Sequence, residues 1–191
     1  QWVRLTYGLL YYYGVMDVLR TAAKVQELTG RGLDLQEYVR VLGLAEALDA
    51  RVLLTENGFI DCRVQDAQHV LDEQKKRSQI DFYPFTQKQL LKAGEFGYRE
   101  HSPAMNTFIR FLHERYKIEE EKLNEVRYML HKQINQDVPP TKLVQYLADF
   151  LEFPSVEFFR ELTGRVMELF NHTRQWVLKG HTPDEVTPQK K

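Results

Sequence analysis

Six histidines and one cysteine are the residues with which this chain could bind a metal ion. The histidines are His69, His101, His113, His131, His172 and His181. Zinc sites need Cys and His ligands at short fixed spacings or an H-E-x-x-H helix. His113-Glu114 begins such a pattern, but Lys117 stands where the second histidine is required. Because Cys62 is the only cysteine, a cysteine-based zinc site and an internal disulfide are excluded. The sequence predicts no metal and no cofactor, with the histidines at the surface or in helix caps.

The residues that could act as nucleophiles do not lie in sequence motifs typical of catalytic sites. Cys62 lies between Asp61 and Arg63 in a predicted strand, which is more typical of a small packed residue. The chain contains no G-x-S-x-G motif and no glycine-rich phosphate loop. We therefore predict that it is not an enzyme. The chain begins with Gln1, which is not Met, so we expect a piece of a longer protein whose other parts could be catalytic.

Basic side chains in the N-terminal half could contact DNA phosphates. The candidates are Arg40, Arg51, Arg63, Lys75, Lys76 and Arg77. Charge opposes this interpretation, because Asp34–Asp49 carries four carboxylates and one arginine, a net charge of −3. The whole chain has a net charge of −1. Since phosphate neutralisation supplies most non-specific DNA affinity, a protein partner is favoured and DNA stays the alternative.

The hydrophobic pattern predicts three helices and then a hairpin in the N-terminal part. The helices are Trp2–Tyr13, Asp17–Leu28 and a third from the N-cap Asp34 to about Ala50. The third helix has a predicted inward stripe of Tyr38, Val41, Leu42, Ala45 and Leu48. Asn57-Gly58 within Arg51–Val64 predicts the hairpin turn. This order of elements is that of a winged-helix module.

The rest of the chain reads as helical. A short helix over Gln65–Arg77 leads to the connector Asp81–Phe85, interpreted as a domain boundary. Three further helices are predicted over Thr86–Ala93, Ser102–Tyr116 and Glu119–Ile134. A fourth begins at Pro139-Pro140, and its predicted inward residues are Leu143, Val144, Leu147, Phe150 and Leu151. A fifth covers Pro154–His172, and its predicted inward residues are Val156, Phe159, Leu162, Val166, Leu169 and Phe170. We predict a mainly α fold, with a winged-helix-like module (three helices plus one β-hairpin) over 1–82 and an α-helical bundle over 83–191.

The segment Asn171–Val186, "NHTRQWVLKGHTPDEV", reads as a helix, a tight corner and the start of an exit helix. Gly180 ends the first helix. Thr182, Pro183 and Glu185 form a capping box with proline at the first helical position. We expect Trp176 to be buried against the corner, and Arg174 and Lys179 to point to solvent.

Three stretches carry a resemblance to a bacterial group. They are "YYYGVMDVLRTA" at Tyr11–Ala22, "YPFTQKQLLKAGEFGY" at Tyr83–Tyr98 and "TRQWVLKGHTPDEV" at Thr173–Val186. The pattern resembles uncharacterised helical proteins, mainly of Firmicutes, with a "YYGv" N-terminal module and an "NTRxWxxxGHTPxEL" end. Some relatives carry a SEC-C-type zinc motif after this end. With no cysteine besides Cys62, no zinc site carries over. The group has no established activity to transfer.

These observations favour a non-catalytic interaction or scaffolding module of a larger bacterial protein, contacting a protein partner or a flanking domain. The alternatives are a winged-helix DNA-binding regulator and an accessory domain of an enzyme whose catalytic part lies elsewhere. No apolar run approaches the roughly 20 residues that span a bilayer, so no membrane contact is predicted. The lack of disulfides fits a cytoplasmic location.

Overall fold

The structure, a computed structural model, describes residues 1–149, 151 and 155–187. It is mainly helical with a small antiparallel sheet, which confirms the predicted fold class. The chain divides into two compact units. The first comprises Gln1–Glu100 and Trp176–Gly180, and the second comprises His101–Gln175 with the described residues from His181 onward. None of the described helices is long and apolar enough to cross a membrane.

The first unit begins with three helices and a hairpin, in the predicted order. Its elements are α1 (Trp2–Tyr13), β1 (Val15–Met16), α2 (Val18–Thr29), α3 (Leu35–Asp49), β2 (Val52–Thr55), β3 (Gly58–Asp61), α4 (Ala67–Lys76), α5 (Gln87–Ala93) and a 3₁₀ turn at Trp176–Leu178. Asp17, Asp34 and Asp66 each cap the helix that follows by accepting a hydrogen bond from a backbone N–H of its first turn.

The three strands are antiparallel in the order β1–β3–β2, with Met16 opposite Phe59 and Leu54 opposite Phe59 on its other side. The sequence did not predict β1, which is two residues long. It also misplaced the turn, which consists of Glu56 and Asn57, while Gly58 is the first residue of β3. Gly58 has φ of 102°, and a Cβ there would lie 2.5 Å from the Met16 carbonyl oxygen. Glycine therefore lets β1 join the hairpin.

Helix α5 belongs to the first unit because it crosses α1 at very short range. A Cβ on Gly8 would lie 2.0 Å from the Leu90 carbonyl oxygen, so only glycine permits this crossing. The connector before α5 is packed as well, since Phe85 stacks on Tyr12 with 3.9 Å between ring centroids. The first unit consequently extends to Glu100, past the boundary predicted between residues 82 and 83.

The predicted stripe of α3 is wrong at Leu48. Tyr38 and Leu42 are buried, whereas the Leu48 side chain is 87% exposed. Six residues separate Leu42 from Leu48, which is about one and two-thirds helical turns. Leu48 therefore leaves the helix on a different side from the buried stripe.

The second unit contains the remaining helices: α6 (Pro103–Tyr116), α7 (Glu120–Asn135), α8 (Pro140–Ala148), α9 (Val156–Asn171) and α10 (Pro183–Val186). Its core is built from the predicted stripes, including Leu143, Leu147, Leu162, Val166 and Leu169. Two residues of the predicted α9 stripe are instead exposed, Val156 by 63% and Phe159 by 43%. The predicted core position Phe150 and the predicted helix start at Pro154 lie outside the described residues.

Candidate functional site

The 3₁₀ turn at Trp176–Leu178 packs against the carbonyl end of α1. Trp176 is fully buried, and its indole Nε1 donates to the Tyr11 carbonyl oxygen at 3.0 Å. The buried Gln74 amide donates to the Tyr13 carbonyl at 3.0 Å and to the Trp176 carbonyl at 2.9 Å. The last carbonyls of a helix have no partner within the helix. Trp176 and Gln74 thus supply the donors that the end of α1 needs.

Two glycines make room for this packing. Gly14 has φ of 72°, and a Cβ there would lie 2.7 Å from the Trp176 indole ring. Gly180 has φ of 85°, and its Cβ would lie 2.9 Å from the Tyr13 ring. A larger residue at either position would force the indole or the phenol ring out of place.

The corner therefore has a different form from the predicted one. Trp176–Leu178 is a 3₁₀ turn and not the end of a helix. Lys179, expected at the surface, is 9% exposed, and its ammonium donates to the carbonyls of Arg77 at 2.9 Å and Ile80 at 2.6 Å. Burial, together with the charge of Arg20, lowers the pKa of Lys179. The two bonds to these carbonyls offset the cost of burying the ammonium group.

The residues after Gly180 form the predicted cap. The Thr182 hydroxyl accepts from the Glu185 backbone N–H, and the Glu185 carboxylate accepts from the Thr182 N–H at 3.0 Å. Pro183 is the first residue of α10. Arg174 was expected to point to solvent, but its side chain is only 19% exposed and pairs with Glu185 at 3.3 Å. The expectation for Arg174 is wrong because Glu185 serves both as cap and as ion-pair partner.

Arg63, one of the candidate DNA contacts, is held inside the first unit. Its guanidinium pairs with Asp61 at 2.7 Å, donates to the Tyr11 carbonyl at 3.3 Å and lies 4.3 Å from the centre of the Tyr11 ring. Burial alone would lower the pKa of Arg63, but the bonds to Asp61 keep that pKa above its ordinary value. Its charge is thus already neutralised by Asp61.

Arg51 is engaged in a similar way at the end of α3. It pairs with Asp49 at 2.9 Å, donates to the Gly94 carbonyl at 3.1 Å and lies 4.0 Å from the centre of the Tyr7 ring. The Tyr7 hydroxyl donates to Asp49 at 2.8 Å. Burial and the Asp49 carboxylate raise the pKa of Tyr7 to about 12. Arg51 therefore joins α3 to its neighbours.

The three basic residues at the end of α4 pair with carboxylates one turn earlier. Lys75 lies 3.5 Å from Asp72, Lys76 lies 2.6 Å from Glu73 and Arg77 lies 2.5 Å from the other oxygen of Glu73. The bonds from Lys76 and then Arg77 lower the pKa of Glu73 to about 2. Arg40 is exposed on α3. Of the six candidates, five thus have an acidic partner in the first unit.

The outer face of α3 is the surface that the sequence did not reveal. We use this name for the exposed residues Glu37, Arg40, Leu44, Ala47 and Leu48. Leu44 is 58% exposed and Leu48 is 87% exposed. Their spacing of four residues places them one turn apart on the same side. The signal in the sequence is that α3 has more apolar residues than one stripe can bury.

In the described part of the chain, the histidines and Cys62 do not assemble into a metal site. Among the described residues, no three His, Cys, Asp or Glu side chains are grouped as metal ligands. Cys62 is exposed as a residue, but partial desolvation of its thiol together with the Asp61 charge raises the pKa of Cys62, which disfavours the thiolate. A cleft of about 570 Å³ has Asp17, Arg20 and Lys179 among its lining residues. Lys179 is committed to the backbone carbonyls of Arg77 and Ile80, and Lys75 pairs with Asp72.

Comparison with known proteins gives no relative from which a function could be transferred. No family model, no curated protein and no solved structure matches this chain. The resemblance to the "YYGv" group of bacterial proteins therefore stays a prediction.

Proposed function

We propose that this chain is a non-catalytic protein-interaction module that contacts its partner through the outer face of α3. The observation that carries the proposal is the exposure of Leu44 and Leu48, by 58% and 87%. Single exposed leucines are common on protein surfaces. Two on adjacent turns of one helix form a patch, and such patches favour contact with another protein.

The topology of the first unit supports the choice of α3. The elements follow in the order α1, β1, α2, α3, β2, β3, and the strands lie in the order β1–β3–β2. In the proposed winged-helix arrangement, α3 occupies the position of the recognition helix, the one that enters the major groove in DNA-binding members. A helix in this exposed position is equally suited to contact another protein.

Charge makes a protein partner preferable to DNA. A helix that contacts DNA presents basic and polar groups to phosphates and base edges, whereas Leu44 and Leu48 are apolar. Arg40 is the one basic residue of α3, and Arg51 and Arg63 are already paired with Asp49 and Asp61. The outer face of α3 thus offers a single basic residue, Arg40, which is less positive charge than DNA affinity through phosphate contacts requires.

The expected partner has an apolar patch bordered by basic residues. The carboxylate of Glu37 is exposed beside the leucines, and Asp34 at the helix start adds a second. Interfaces combine a dry apolar centre with a polar rim of complementary charge. A partner helix or strand that presents leucine or phenylalanine with lysine or arginine at its edges fits this description.

The test compares variants on two exposed surfaces of the same unit. Leu44→Gln with Leu48→Gln removes the proposed patch and keeps a helix-compatible side chain. Leu19→Gln changes a leucine of α2 that is 67% exposed. We expect the double variant to bind the purified partner about tenfold or more weakly, since central apolar contacts dominate binding, and Leu19→Gln to bind normally. Equal binding by all three proteins would refute the proposal.

The DNA alternative has its own measurement. Titration of duplex DNA at low salt distinguishes it, because phosphate contacts give affinity that falls steeply with salt. The account predicts no salt-dependent binding for the parent chain. Binding that weakens in Arg40→Ala, where the exposed arginine is lost, would replace the present proposal by the DNA-binding one.

A further inference from the structure

The cleft of about 570 Å³ in the first unit is built from three segments of the chain. Its walls come mainly from β1 with the start of α2, from the end of α4 with the residues that follow it, and from Lys179. Phe82 and Leu71 supply apolar surface. A concave site of this size, with apolar walls and a few polar groups, is typical of sites that bind small molecules.

Lys179 brings a cation with a spare donor to this cleft. The residue is 9% exposed, and its ammonium donates to the carbonyls of Arg77 and Ile80. These bonds reduce the cost of burying the charge, but neither acceptor carries an opposite charge. An ammonium has three N–H donors, and no described residue accepts from the third. The third donor therefore suits an anion that enters the cleft.

Arg20 adds a second positive charge to the lining. Its guanidinium carbon lies 5.4 Å from the centre of the Phe82 ring, and the Lys179 ammonium lies 5.8 Å from the same centre. The charge of Arg20 contributes to the lowered pKa of Lys179, so the two cations repel each other. Arg20 pairs with Asp17 at 3.5 Å, but the two side chains are 61% and 58% exposed, and so exposed a pair yields to an incoming anion at little cost. A bound anion would relieve the repulsion between the cations.

Gln74 brings a buried acceptor to the same cleft. Its amide nitrogen donates to the carbonyls of Tyr13 and Trp176, which fixes the orientation of the amide. The Trp176 carbonyl also accepts from the Lys179 backbone N–H at 2.9 Å, so Gln74 and Lys179 are neighbours. No described residue donates to the side-chain oxygen of Gln74. Because Gln74 lines the cleft, this oxygen is left for an N–H group of a ligand.

The charges of the lining decide which anion fits. Asp17 and Asp81 also line the cleft, and the charge of Asp81 partly offsets the lowering of the Lys179 pKa. These carboxylates would repel a phosphate group, with its about two negative charges at neutral pH, more strongly than a carboxylate. They would attract an N–H or ammonium group beside that carboxylate. The lining thus fits a carboxylate with an N–H group next to it, on an apolar body.

We propose that this cleft binds a small apolar carboxylate with a neighbouring N–H group, the chemistry shared by amino acids and by the C-terminal residue of a short peptide. Lys179 and Arg20 bind the carboxylate, Gln74 accepts from the N–H group, and Phe82 and Leu71 contact the apolar part. The lining residues lie outside α3, so the site does not rest on the proposed function.

Four related probes test the class of ligand by calorimetric titration of the parent chain. They are N-acetylphenylalanine, free phenylalanine, 3-phenylpropionate, which lacks the N–H group, and phenethylamine, which lacks the carboxylate. We expect N-acetylphenylalanine or phenylalanine to bind about tenfold or more tightly than 3-phenylpropionate, because the Gln74 oxygen is otherwise left without a donor, and phenethylamine not to bind. Tighter binding of the acetylated probe indicates a peptide end, and tighter binding of phenylalanine indicates a free amino acid. Equal binding of 3-phenylpropionate or of phenethylamine overturns the proposal, and so does the absence of saturable binding up to about 10 mM.

Two cleft variants and a matched control test the residues. Arg20→Gln removes an exposed cation, and we expect the tighter-binding probe to bind about tenfold more weakly. Lys179→Met removes the buried ammonium and should abolish binding. Arg40→Gln, at an exposed arginine of α3, should bind like the parent. Circular dichroism melts show whether each variant folds, and because Lys179 also bonds to backbone carbonyls, the exposed Arg20 position decides the outcome. A folded Arg20→Gln protein that binds the probe like the parent overturns the proposal.

Discussion

The two units of the chain are stabilised by different kinds of interaction. The core of the second unit is aliphatic and phenylalanine-rich, with Leu112, Leu130, Leu143, Leu147 and Leu162 fully buried. The core of the first unit includes the buried tyrosines Tyr7, Tyr11, Tyr12, Tyr13 and Tyr38, and it depends on side chains that bond to backbone carbonyls. Periodicity along the sequence predicts the first kind of core and says little about the second.

The difference has a physical origin. An aliphatic stripe is local, because residues three and four apart share a face of their own helix. The bonds of Trp176 to Tyr11 and of Gln74 to Tyr13 join residues 165 and 61 positions apart. Buried carbonyls need donors, but nothing in the sequence states which distant side chain supplies them. The first unit should therefore be the more sensitive to loss of single polar groups.

Replacement of Trp176 should have the largest effect. Trp176→Ala removes a fully buried ring and the donor to the Tyr11 carbonyl, and we expect unfolding free energy to fall by about 3–5 kcal/mol. Trp176→Phe keeps an apolar ring and separates the packing loss from the hydrogen bond. Urea unfolding followed by circular dichroism gives both values. An alanine variant as stable as the parent would show that the indole does not hold this end of α1.

Loss of the Gln74 amide should come next. Gln74→Leu leaves the carbonyls of Tyr13 and Trp176 without that donor, and we expect a cost of about 1–3 kcal/mol. Gln68→Leu on the exposed side of α4 is the control, since the Gln68 amide donates at the surface to the side chain of Asp72, at 2.8 Å. Equal unfolding curves for the two variants would contradict the claim that the core of the first unit depends on buried side chains that donate to backbone carbonyls.

The cap at Thr182 should have the smallest effect. Thr182→Ala removes the side-chain oxygen that accepts from Glu185 N–H at 3.3 Å, and the usual cost of losing such a cap is about 1 kcal/mol. Thr187→Ala removes an exposed hydroxyl that donates to the Pro183 carbonyl at 2.7 Å, and because this bond is open to water we expect stability to change by less than about 0.5 kcal/mol. Thermal melts of both variants measure the two changes in stability. A Thr187 variant as destabilised as the Thr182 variant would contradict the capping role.

The sequence predicted the helices better than it predicted the strands and the burial of individual side chains. The bounds of α1 and the Ser102-Pro103 start of α6 follow directly from apolar spacing and cap residues. The strand β1 was missed because two residues carry no periodicity. Leu48 and Lys179 were assigned to the wrong environments, since a helix pattern does not state which face is packed and the acceptors of Lys179 lie about 100 residues away in sequence.

The candidate site, too, could be predicted from the sequence only in part. The sequence identified α3 as the helix to consider and gave its negative charge. It did not show that Leu44 and Leu48 are exposed, because exposure depends on how α1, α2 and β2 cover the other sides of α3. The pairing of Arg51 with Asp49 and of Arg63 with Asp61 could be read from nearby positions in the sequence, but the inward direction of both arginines could not.

A photo-crosslinking side chain placed at Leu48 shows whether the outer face of α3 contacts another protein. This position is 87% exposed, and crosslinking in intact cells reports what touches it without a prior choice of partner. The account predicts a discrete protein adduct at position 48 and none from the same group at Leu19, the exposed control on α2. Crosslinks to nucleic acid at position 48, or the same adducts from both positions, would contradict it.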